Sequence, residues 1–301
     1  MATTDAREGA RFVADRAAVA AALAALAATA RRDLDPRVAE AIEYALLGAG
    51  KRFRAVLLIA AYRACGGSGD ASALAAALEV VHAYSLVHDD LPCMDDDDVR
   101  RGQPTVHRKH GVAAATAAGV AMVPLAARAA AEAAGSLGLS AGTQGEVVRL
   151  LMQAAGAGGM IGGQLLDLLA EGVGLDVCEL ERIHRMKTGA LILEAVRIGG
   201  VAAGAGARTM EALLRYGSAI GLAFQIADDV LDVTATTTQL GKTAGKDASH
   251  GKSTYPAALG LDGARSRAVA LADEACRSLR RGDIRSPDLE YLAHYVVARP
   301  S

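Results

Sequence analysis

Two clusters of aspartates are the residues of this sequence best suited to chemistry. The first, from His88 to Gly102, reads HDDLPCMDDDDVRRG and places six aspartates within ten residues, and the second, from Phe224 to Asp232, reads FQIADDVLD. Neighbouring carboxylates repel one another unless cations hold them. All-oxygen sites suit a hard cation, and Mg²⁺ in particular takes one or two carboxylates together with substrate phosphates. The clusters therefore predict magnesium sites that bind phosphate-bearing ligands.

A charge run is more often a solvated surface than a metal site. The second cluster argues against that alternative, because it is embedded in the apolar stretch AIGLAFQIADDVLDV. Asp228 and Asp232 are four residues apart, so their side chains share one face of a predicted helix.

The first cluster is less regular, because Pro92 removes a backbone donor and clashes with the carbonyl of His88 one turn earlier. We expect the helix to bulge there. In an undistorted helix Asp89 would align with Asp96, whereas a bulge that absorbs two residues would bring Asp95 alongside Asp89. The residues alone leave both arrangements open.

Basic residues occur where phosphates would need them. GAGKRFRAVL, residues 48–57, places cations in the first turn of a predicted helix, where the helix dipole disfavours them unless an anion is bound. Arg100 and Arg101 follow the first cluster, and MKTGA contains Lys187 and Thr188. The glycine-rich segment TQLGKTAGKDASHGKS, residues 238–253, contains Lys242, Lys246 and Lys252. Two acidic sites with separate basic groups predict two phosphate-bearing ligands.

These residues must be positioned by helices. The chain has 301 residues, of which 52% are hydrophobic and 3% aromatic, and no run shows convincing β-alternation, so we expect an all-α fold over a single domain, 1–301. Candidate helices lie at about 15–31, 36–48, 51–65, 71–90, 95–99, 111–135, 144–170, 176–188, 189–203, 208–232, 252–259, 262–279 and 287–297.

Composition excludes several classes of function. With 32 basic and 34 acidic residues, the chain has no overall field to attract nucleic acid or an anionic membrane. The four cysteines form no CxxC pair, which indicates neither a zinc site nor a disulfide framework and fits a reducing, cytoplasmic location. The uncharged run at 111–127 is shorter than a membrane span, and we expect it to be a buried helix.

Taken together, the motifs resemble those of the trans-isoprenyl diphosphate synthases, most closely the bacterial farnesyl diphosphate synthase group. The resemblance extends from about residue 48 to 260. It is carried, in the family's order and spacing, by GKRFR, VHAYSLVHDDLPCMDDDDVRRGQPTVH, GGMIGGQLLDL, IHRMKTGALI, GLAFQIADDVLDV and LGKTAGKDASHGKSTYPAALGL. It implies a single helical bundle of the isoprenoid synthase type with a central active-site cavity, and a homodimer.

The resemblance also implies the reaction. An allylic diphosphate (dimethylallyl or geranyl) ionises to a carbocation and diphosphate, the double bond of isopentenyl diphosphate attacks the cation, and a proton is lost to the released diphosphate. Magnesium, about three ions by analogy, and fixed cations stabilise the leaving group. No protein nucleophile is needed.

The resemblance assigns roles to matching residues of this sequence. Asp89, Asp95 and Asp228 would hold Mg²⁺, with Asp90, Asp229 and Asp232 supporting them. The allylic diphosphate would be contacted by Arg100, Lys187, Thr188, Gln225, Lys242 and Lys252. Thr188 and Gln225 could also stabilise the carbocation. All of these residues except Lys252 form the predicted catalytic set. Lys51, Arg54, His82 and Arg101 would bind isopentenyl diphosphate. Gln164 and Asp167 are either a buried hydrogen-bonded pair or a second shell around Mg²⁺.

Product length is expected to depend on Tyr84 and Ser85, about one turn before Asp89. A tyrosine there fills the path of the growing hydrocarbon and, by resemblance, stops extension at fifteen carbons, which is farnesyl diphosphate. Cys93, within LPCMD, instead resembles the corresponding residue of enzymes whose product has twenty carbons, so geranylgeranyl diphosphate is the alternative product.

Three positions depart from the family's usual pattern: Ala49 interrupts paired glycines, Ala55 replaces a proline, and Val120 replaces an aspartate. Other classes fit less well. A class I terpene cyclase normally lacks both DDVLD and the GKRFR site, and a non-catalytic partner subunit would typically have lost one aspartate motif.

Overall fold

The computed structural model describes residues 2–234 and 252–298. It is 79% helical with almost no strand, which confirms the all-α prediction. The helices of this part of the chain are α1 (Ala2–Asp33), α2 (Pro36–Leu47), α3 (Phe53–Ala64), α4 (Ser72–Asp89), α5 (Val106–His110), α6 (Val112–Ser136), α7 (Ala141–Ala155), α8 (Met160–Leu169), α9 (Val177–His184), a π-helical turn (Arg185–Gly189), α10 (Ala190–Ala202), α11 (Ala207–Thr234), α12 (Tyr255–Arg281) and α13 (Pro287–Ala298). Strands β1 (Val99–Arg100) and β2 (Gln103–Pro104) form an antiparallel hairpin.

The core is built around α4, in which thirteen of eighteen residues are buried. A helix that is apolar around its whole circumference is an interior helix, and α4 packs against α1, α3 and α6. On the other side of α3 lies α10, followed by α11 and α12. Small residues permit these close contacts: a Cβ on Gly199 of α10 would lie 2.5 Å from the carbonyl oxygen of Leu58 in α3.

Two predicted helices differ from the structure in ways that matter for the site. The helix predicted at 144–170 is two helices, because the glycines of the 156–159 segment disfavour helix and separate α7 from α8. The helix predicted at 95–99 is wrong: these residues form a turn that leads into β1, and Asp96 adopts a left-handed conformation with φ 46°.

Two further predicted boundaries have different outcomes. The break predicted between 252–259 and 262–279 is confirmed, because Gly260, with φ 72° and ψ 162°, is non-helical and kinks α12 between its two helical parts. The predicted break between 188 and 189 is instead a π-helical turn that links α9 to α10 without interruption.

Two helices of the described chain are long and apolar enough to cross a membrane by length and composition alone, Phe12–Asp33 and Val112–Ser136. Interior helices of soluble proteins have the same character. The second helix, α6, packs on α2, α4, α5 and α7 and buries Ala118 and Met122 completely, but Val112 and Val120 are exposed, so the run predicted to be a buried helix is buried on one face only. These helices do not establish a membrane span.

Candidate active site

The first aspartate cluster begins at the end of α4. Asp89 is its last residue, and the chain then turns back so that the backbone N–H of Asp95 donates to the carbonyl of Asp89 at 2.8 Å. The helix therefore ends at Asp89, so neither the continuous helix nor the bulge predicted around Pro92 is formed. The turn places Asp95, and not the exposed Asp96, in the same cavity as Asp89.

That cavity has a volume of about 700 Å³ and lies between α3, α4, α8, α11 and the π-helical turn. Most of the predicted site residues line it: Lys51, Arg54, His82, Ser85, Asp89, Asp95, Arg100, Arg101, Lys187, Thr188, Gln225, Asp228, Asp229 and Lys252. Asp232 is buried near the end of α11. Lys242 and Lys246 lie outside the described residues.

Asp167 holds two lysines of the cavity. Its Oδ2 accepts from Nζ of Lys187 at 2.6 Å and from Nζ of Lys252 at 3.0 Å, and Lys252 also reaches Oδ1 of Asp95 at 3.5 Å. Burial would raise the pKa of Asp167, but the two lysines lower it below its usual range. Burial likewise opposes the charge of Lys187, yet Asp167 and Asp89 raise its pKa. Both lysines are thus held as cations at the cavity wall.

Thr188 and Gln225 form a hydrogen-bonded pair. The Thr188 hydroxyl donates to Oε1 of Gln225 at 2.7 Å, and Nε2 of Gln225 donates to Oδ1 of Asp229 at 3.0 Å. Asp229 is further anchored by the backbone N–H of Tyr255, at 3.0 Å, and by the ring of His184, at 3.3 Å. Asp229 therefore supports Gln225 and the start of α12, and the oxygen lone pairs of Thr188 are available to the cavity.

Asp90 supports Arg100. The guanidinium donates through Nε and Nη2 to Oδ1 of Asp90 at 2.8 and 2.6 Å, a strong charge-assisted arrangement. Burial raises the pKa of Asp90 although Arg100 opposes that effect. Asp90 thus positions a cavity cation.

A separate group of cations lies around the start of α3. Nη1 of Arg54 is 3.3 Å from Nε2 of His82, and its guanidinium stacks on Phe224 at 5.4 Å from the ring centroid. Burial, and next Arg54, lower the pKa of His82 well below its usual range, so a neutral His82 accepts from Arg54. Arg101 donates to the carbonyl of Ala49 at 2.6 Å, and Lys51 also borders the cavity.

Sequence reasoning missed Glu79, a buried carboxylate of α4 that orders this segment. It forms an ion pair with Arg52 at 3.6 Å, and Arg52 also donates to the carbonyls of Leu46 and Gly48. The backbone N–H of Ala55 donates to Oε1 of Glu79 at 3.2 Å, a bond that a proline in its place could not form. A lone glutamate among the apolar residues of SALAAALEVVHAY was the available signal.

Tyr84 is buried in α4 against the end of α7 and, unlike Ser85, is not among the residues that line the cavity. Its hydroxyl donates to the carbonyl of Ala155 at 3.0 Å, and its ring meets His88 edge-on. Ser85 lines the cavity and donates to the carbonyl of His82. The ring of His88 occupies the space that a Cβ on Gly119 would fill. Val120, which replaces the aspartate usual in the family, is exposed, so that replacement lies on the surface.

The two aspartate walls fit a hard cation. Asp89, Asp95 and Asp228 present only carboxylate oxygens, the donors that Mg²⁺ prefers. Burial raises the pKa of Asp89 to about 6, and the charge of Lys187 only partly opposes this shift. The negative charge of the buried carboxylate is therefore not fully balanced by the protein, which favours a bound cation. Both amide atoms of Gln164 are buried without a hydrogen-bond partner among the described residues, although they border the cavity, and water bound to an ion would satisfy them.

Comparisons with known proteins identify the family of the chain. The model of the family described as polyprenyl synthetase matches residues 35–283. The chain is 48% identical over 267 residues to the farnesyl diphosphate synthase of Escherichia coli (strain K12), which covers 87% of this chain and 89% of that protein. It is 42% identical over 267 residues to geranylgeranyl pyrophosphate synthase 11, chloroplastic, of Arabidopsis thaliana, covering 87% and 74%.

A solved structure extends the likeness to the fold. The crystal structure of geranyltransferase from Helicobacter pylori, complexed with magnesium and isoprenyl diphosphate, matches with a TM-score of 0.80 and 29% identity, over 96% of this chain and 95% of that one. The fold and the cavity therefore define an all-α isoprenyl diphosphate synthase. The chain belongs to the polyprenyl synthetase family and is a prenyltransferase.

Proposed function

We propose that this chain makes farnesyl diphosphate by condensing isopentenyl diphosphate with dimethylallyl and then geranyl diphosphate. The observation that carries the proposal is one cavity with two aspartate walls and two separate groups of cations, which suits two diphosphates at once. The similarity to the Escherichia coli farnesyl diphosphate synthase supports the same product.

Asp89 and Asp95 on one wall, and Asp228 on the other, would hold Mg²⁺, with about three ions expected by analogy with the family. When bound, Mg²⁺ supplies electrostatic stabilisation of the diphosphate that leaves. The all-oxygen donor set of the three aspartates and the unpartnered Gln164 support this assignment.

The protein's own cations bind the allylic diphosphate. Lys187, Lys252 and Arg100 are fixed at the wall by Asp167 and Asp90, so little reorganisation is needed when negative charge accumulates on the leaving group. Lys242 is assigned to the same group by resemblance and lies outside the described residues.

Thr188 and Gln225 face the site of ionisation. Because the Thr188 proton is directed to Gln225, the lone pairs of the Thr188 oxygen can stabilise a carbocation. The proton lost on coupling goes to the released diphosphate. The second substrate, isopentenyl diphosphate, is bound by Lys51, Arg54, Arg101 and the neutral His82.

Geranylgeranyl diphosphate is the second candidate product, favoured by the similarity to the Arabidopsis thaliana protein. By resemblance to short-chain bacterial enzymes, the tyrosine at position 84 favours the shorter product. A terpene cyclase and a non-catalytic subunit fit less well, since both aspartate walls and the second cation group are present. The homodimer and the cytoplasmic location stay predictions.

Incubation of the purified chain with Mg²⁺, isopentenyl diphosphate and each of dimethylallyl, geranyl and farnesyl diphosphate tests the proposal. We expect fifteen-carbon product from the first two starters, sized by chromatography of the dephosphorylated alcohols. Asp228→Ala should lower turnover at least about 100-fold with an unchanged helical circular dichroism spectrum. Asp262→Ala, at a fully exposed aspartate of α12, is the matched control and should be active. Absence of condensation with every starter would refute the proposal.

A further inference from the structure

Two arginines in the wall of the cavity have a strained backbone. Arg52, with φ 49°, and Arg101, with φ 54°, both adopt the left-handed conformation, which residues other than glycine rarely adopt. Such strain persists only where the surroundings hold the residue in place, and it is concentrated at functional sites. Both arginines border the part of the cavity that is proposed to bind isopentenyl diphosphate. The contacts that hold Arg52 are therefore candidates for a role in binding this substrate.

The side chain of Arg52 joins three helices. Its Nη2 donates to the carbonyls of Leu46 at 2.7 Å and Gly48 at 2.8 Å, at the end of α2. Arg52 itself immediately precedes α3, and its Nη1 lies 3.6 Å from Oε2 of Glu79 in α4. The side chains of Arg52 and Glu79 are 10% and 3% exposed, so water and salt screen this ion pair little. Glu79 thus supplies the charge that holds the guanidinium in place.

The other oxygen of Glu79 caps α3. Within the described chain, the residue before α3, Arg52, makes no side-chain hydrogen bond to the first turn of the helix. Instead, Oε1 of Glu79 accepts from the backbone N–H of Ala55 at 3.2 Å. A carboxylate at this end of a helix satisfies a free N–H group and is favoured by the helix dipole. Glu79 therefore fixes both the residue before α3 and the first turn of α3.

The segment 48–52 carries or holds two of the cations assigned to isopentenyl diphosphate. Lys51 directly precedes the strained Arg52 and borders the cavity. The carbonyl of Ala49 accepts from Nη1 of Arg101 at 2.6 Å, and a Cβ on Gly50 would lie 2.7 Å from the same nitrogen. The guanidinium of Arg101 is thus packed against the backbone of this segment, and a shift of the segment would move both cations.

Glu79 also bears on the other predicted ligands of this substrate. Arg54 lies in the first turn of α3, which Glu79 caps, and its Nη1 is 3.3 Å from Nε2 of His82. His82 follows Glu79 by three residues, so the two side chains share one face of α4. Burial, and next Arg52, lower the pKa of Arg101, whereas the charge of Glu79 opposes this effect.

We propose that Glu79 is a positioning residue for isopentenyl diphosphate. It holds Arg52 in the left-handed conformation and thereby places the cations that meet the diphosphate, which are Lys51, Arg54 and Arg101. Glu79 does not bind the diphosphate itself, because Arg52 and Ala55 engage its two oxygens and its negative charge would repel a phosphate. The inference rests on the proposed function, since it takes isopentenyl diphosphate to be the ligand of these cations.

The first test measures the two substrates separately in Glu79→Gln. The amide keeps an oxygen for the N–H of Ala55 but loses the charge that holds Arg52. We expect KM for isopentenyl diphosphate to rise at least about 10-fold. The kcat and the KM for geranyl diphosphate should stay within about 2-fold of the wild-type values. A merely structural role of Glu79 would not separate the two substrates in this way.

The second test is a calorimetric titration of the full chain with isopentenyl diphosphate in EDTA. Without Mg²⁺ the aspartates cannot recruit the diphosphate, so binding depends on the protein's own cations. The Kd should again rise at least about 10-fold in Glu79→Gln. Because this measurement needs no turnover, a wild type that binds but does not condense the substrates would refute the proposed function, while the rise in Kd would still support the role of Glu79.

Glu194→Gln is the matched control. Glu194 is also a buried glutamate paired with an arginine, Arg197 at 3.3 Å, but it is not among the residues that line the cavity. Its substitution should leave Kd and both KM values unchanged.

Arg52→Met tests whether Glu79 acts through Arg52. It should also raise Kd, and the double variant with Glu79→Gln should stay within about 2-fold of Arg52→Met alone. The inference is overturned if the wild type does not bind isopentenyl diphosphate, if Glu79→Gln binds it as the wild type does, if both KM values rise equally, or if the effects of the two substitutions add. Should Glu79→Gln fail to fold, an unchanged Kd in Arg52→Met overturns it.

Discussion

Tyr84 is the residue on which product length depends in our proposal. Its ring is 4% exposed and lies one turn before Asp89, between α4 and α7. Replacing it with alanine removes most of a buried side chain, so Tyr84→Ala should lengthen the main product from fifteen to at least twenty carbons. It should also lower the free energy of unfolding by about 3 to 5 kcal/mol. Chromatography of the alcohols and urea unfolding measure the two effects.

Tyr84→Phe is the control for the ring itself. It removes only the hydrogen bond to the carbonyl of Ala155 and keeps the volume, so the product should stay at fifteen carbons. Equal product lengths for the Ala and Phe variants would show that Tyr84 does not close the path.

Asp89 makes the metal-free protein sensitive to pH. Its folded pKa of about 6 lies above the ordinary 3.8, so its contribution to stability is complete below about pH 4 and is lost as pH rises through 6. In EDTA, Asp89→Asn should therefore be more stable than the wild type by about 3 kcal/mol at neutral pH, and the difference should vanish in acid.

Urea unfolding of both proteins over this pH range measures that difference. Asp262→Asn, at an exposed position, should follow the wild-type curve. Parallel curves for wild type and Asp89→Asn would contradict the burial argument.

At the scale of elements, α8 and the π-helical turn must approach closely to position Lys187. A Cβ on Gly163 would lie 2.2 Å from the backbone nitrogen of Lys187 and 2.5 Å from its Cα, and backbone atoms cannot move aside cheaply. Gly163→Ala should therefore destabilise the protein by about 1 to 3 kcal/mol and reduce kcat, since it displaces the lysine from Asp167. Thermal unfolding and steady-state kinetics measure these effects.

Gly145→Ala provides the comparison within α7. A Cβ at Gly145 meets nothing within 4 Å, so the substitution should leave kcat unchanged and raise stability by up to about 1 kcal/mol. Similar losses in both variants would mean that helix-wide effects, and not the contact with Lys187, are responsible.

At the scale of the whole molecule, the cavity gathers carboxylates and cations from helices distant in sequence. Ligands that bind this arrangement and not the unfolded chain stabilise the fold by mass action. Mg²⁺ with inorganic diphosphate should thus raise Tm by several degrees at about 100 times Kd, and EDTA should reverse the shift. Asp228→Ala should reduce the gain; an undiminished gain in that variant would place the ions elsewhere.

Much of this protein could be predicted from its sequence. The alanine-rich helices, the two aspartate motifs and the cations of GKRFR and MKTGA are local patterns, because helix periodicity and residue chemistry are written in consecutive residues. The same patterns carried the family resemblance, which the comparisons confirm.

Tertiary structure alone decided which of these residues meet. The sequence left Asp95 and Asp96 as alternatives, and the turn after Asp89 chose Asp95 because its backbone bonds back to Asp89. Three carboxylates owe their roles to partners 10 to 85 positions away in the sequence. Asp167 holds two lysines, Asp90 holds Arg100, and Glu79 pairs with Arg52. Periodicity fixes the face on which a residue lies, but the partner on the facing helix is set by how the helices pack.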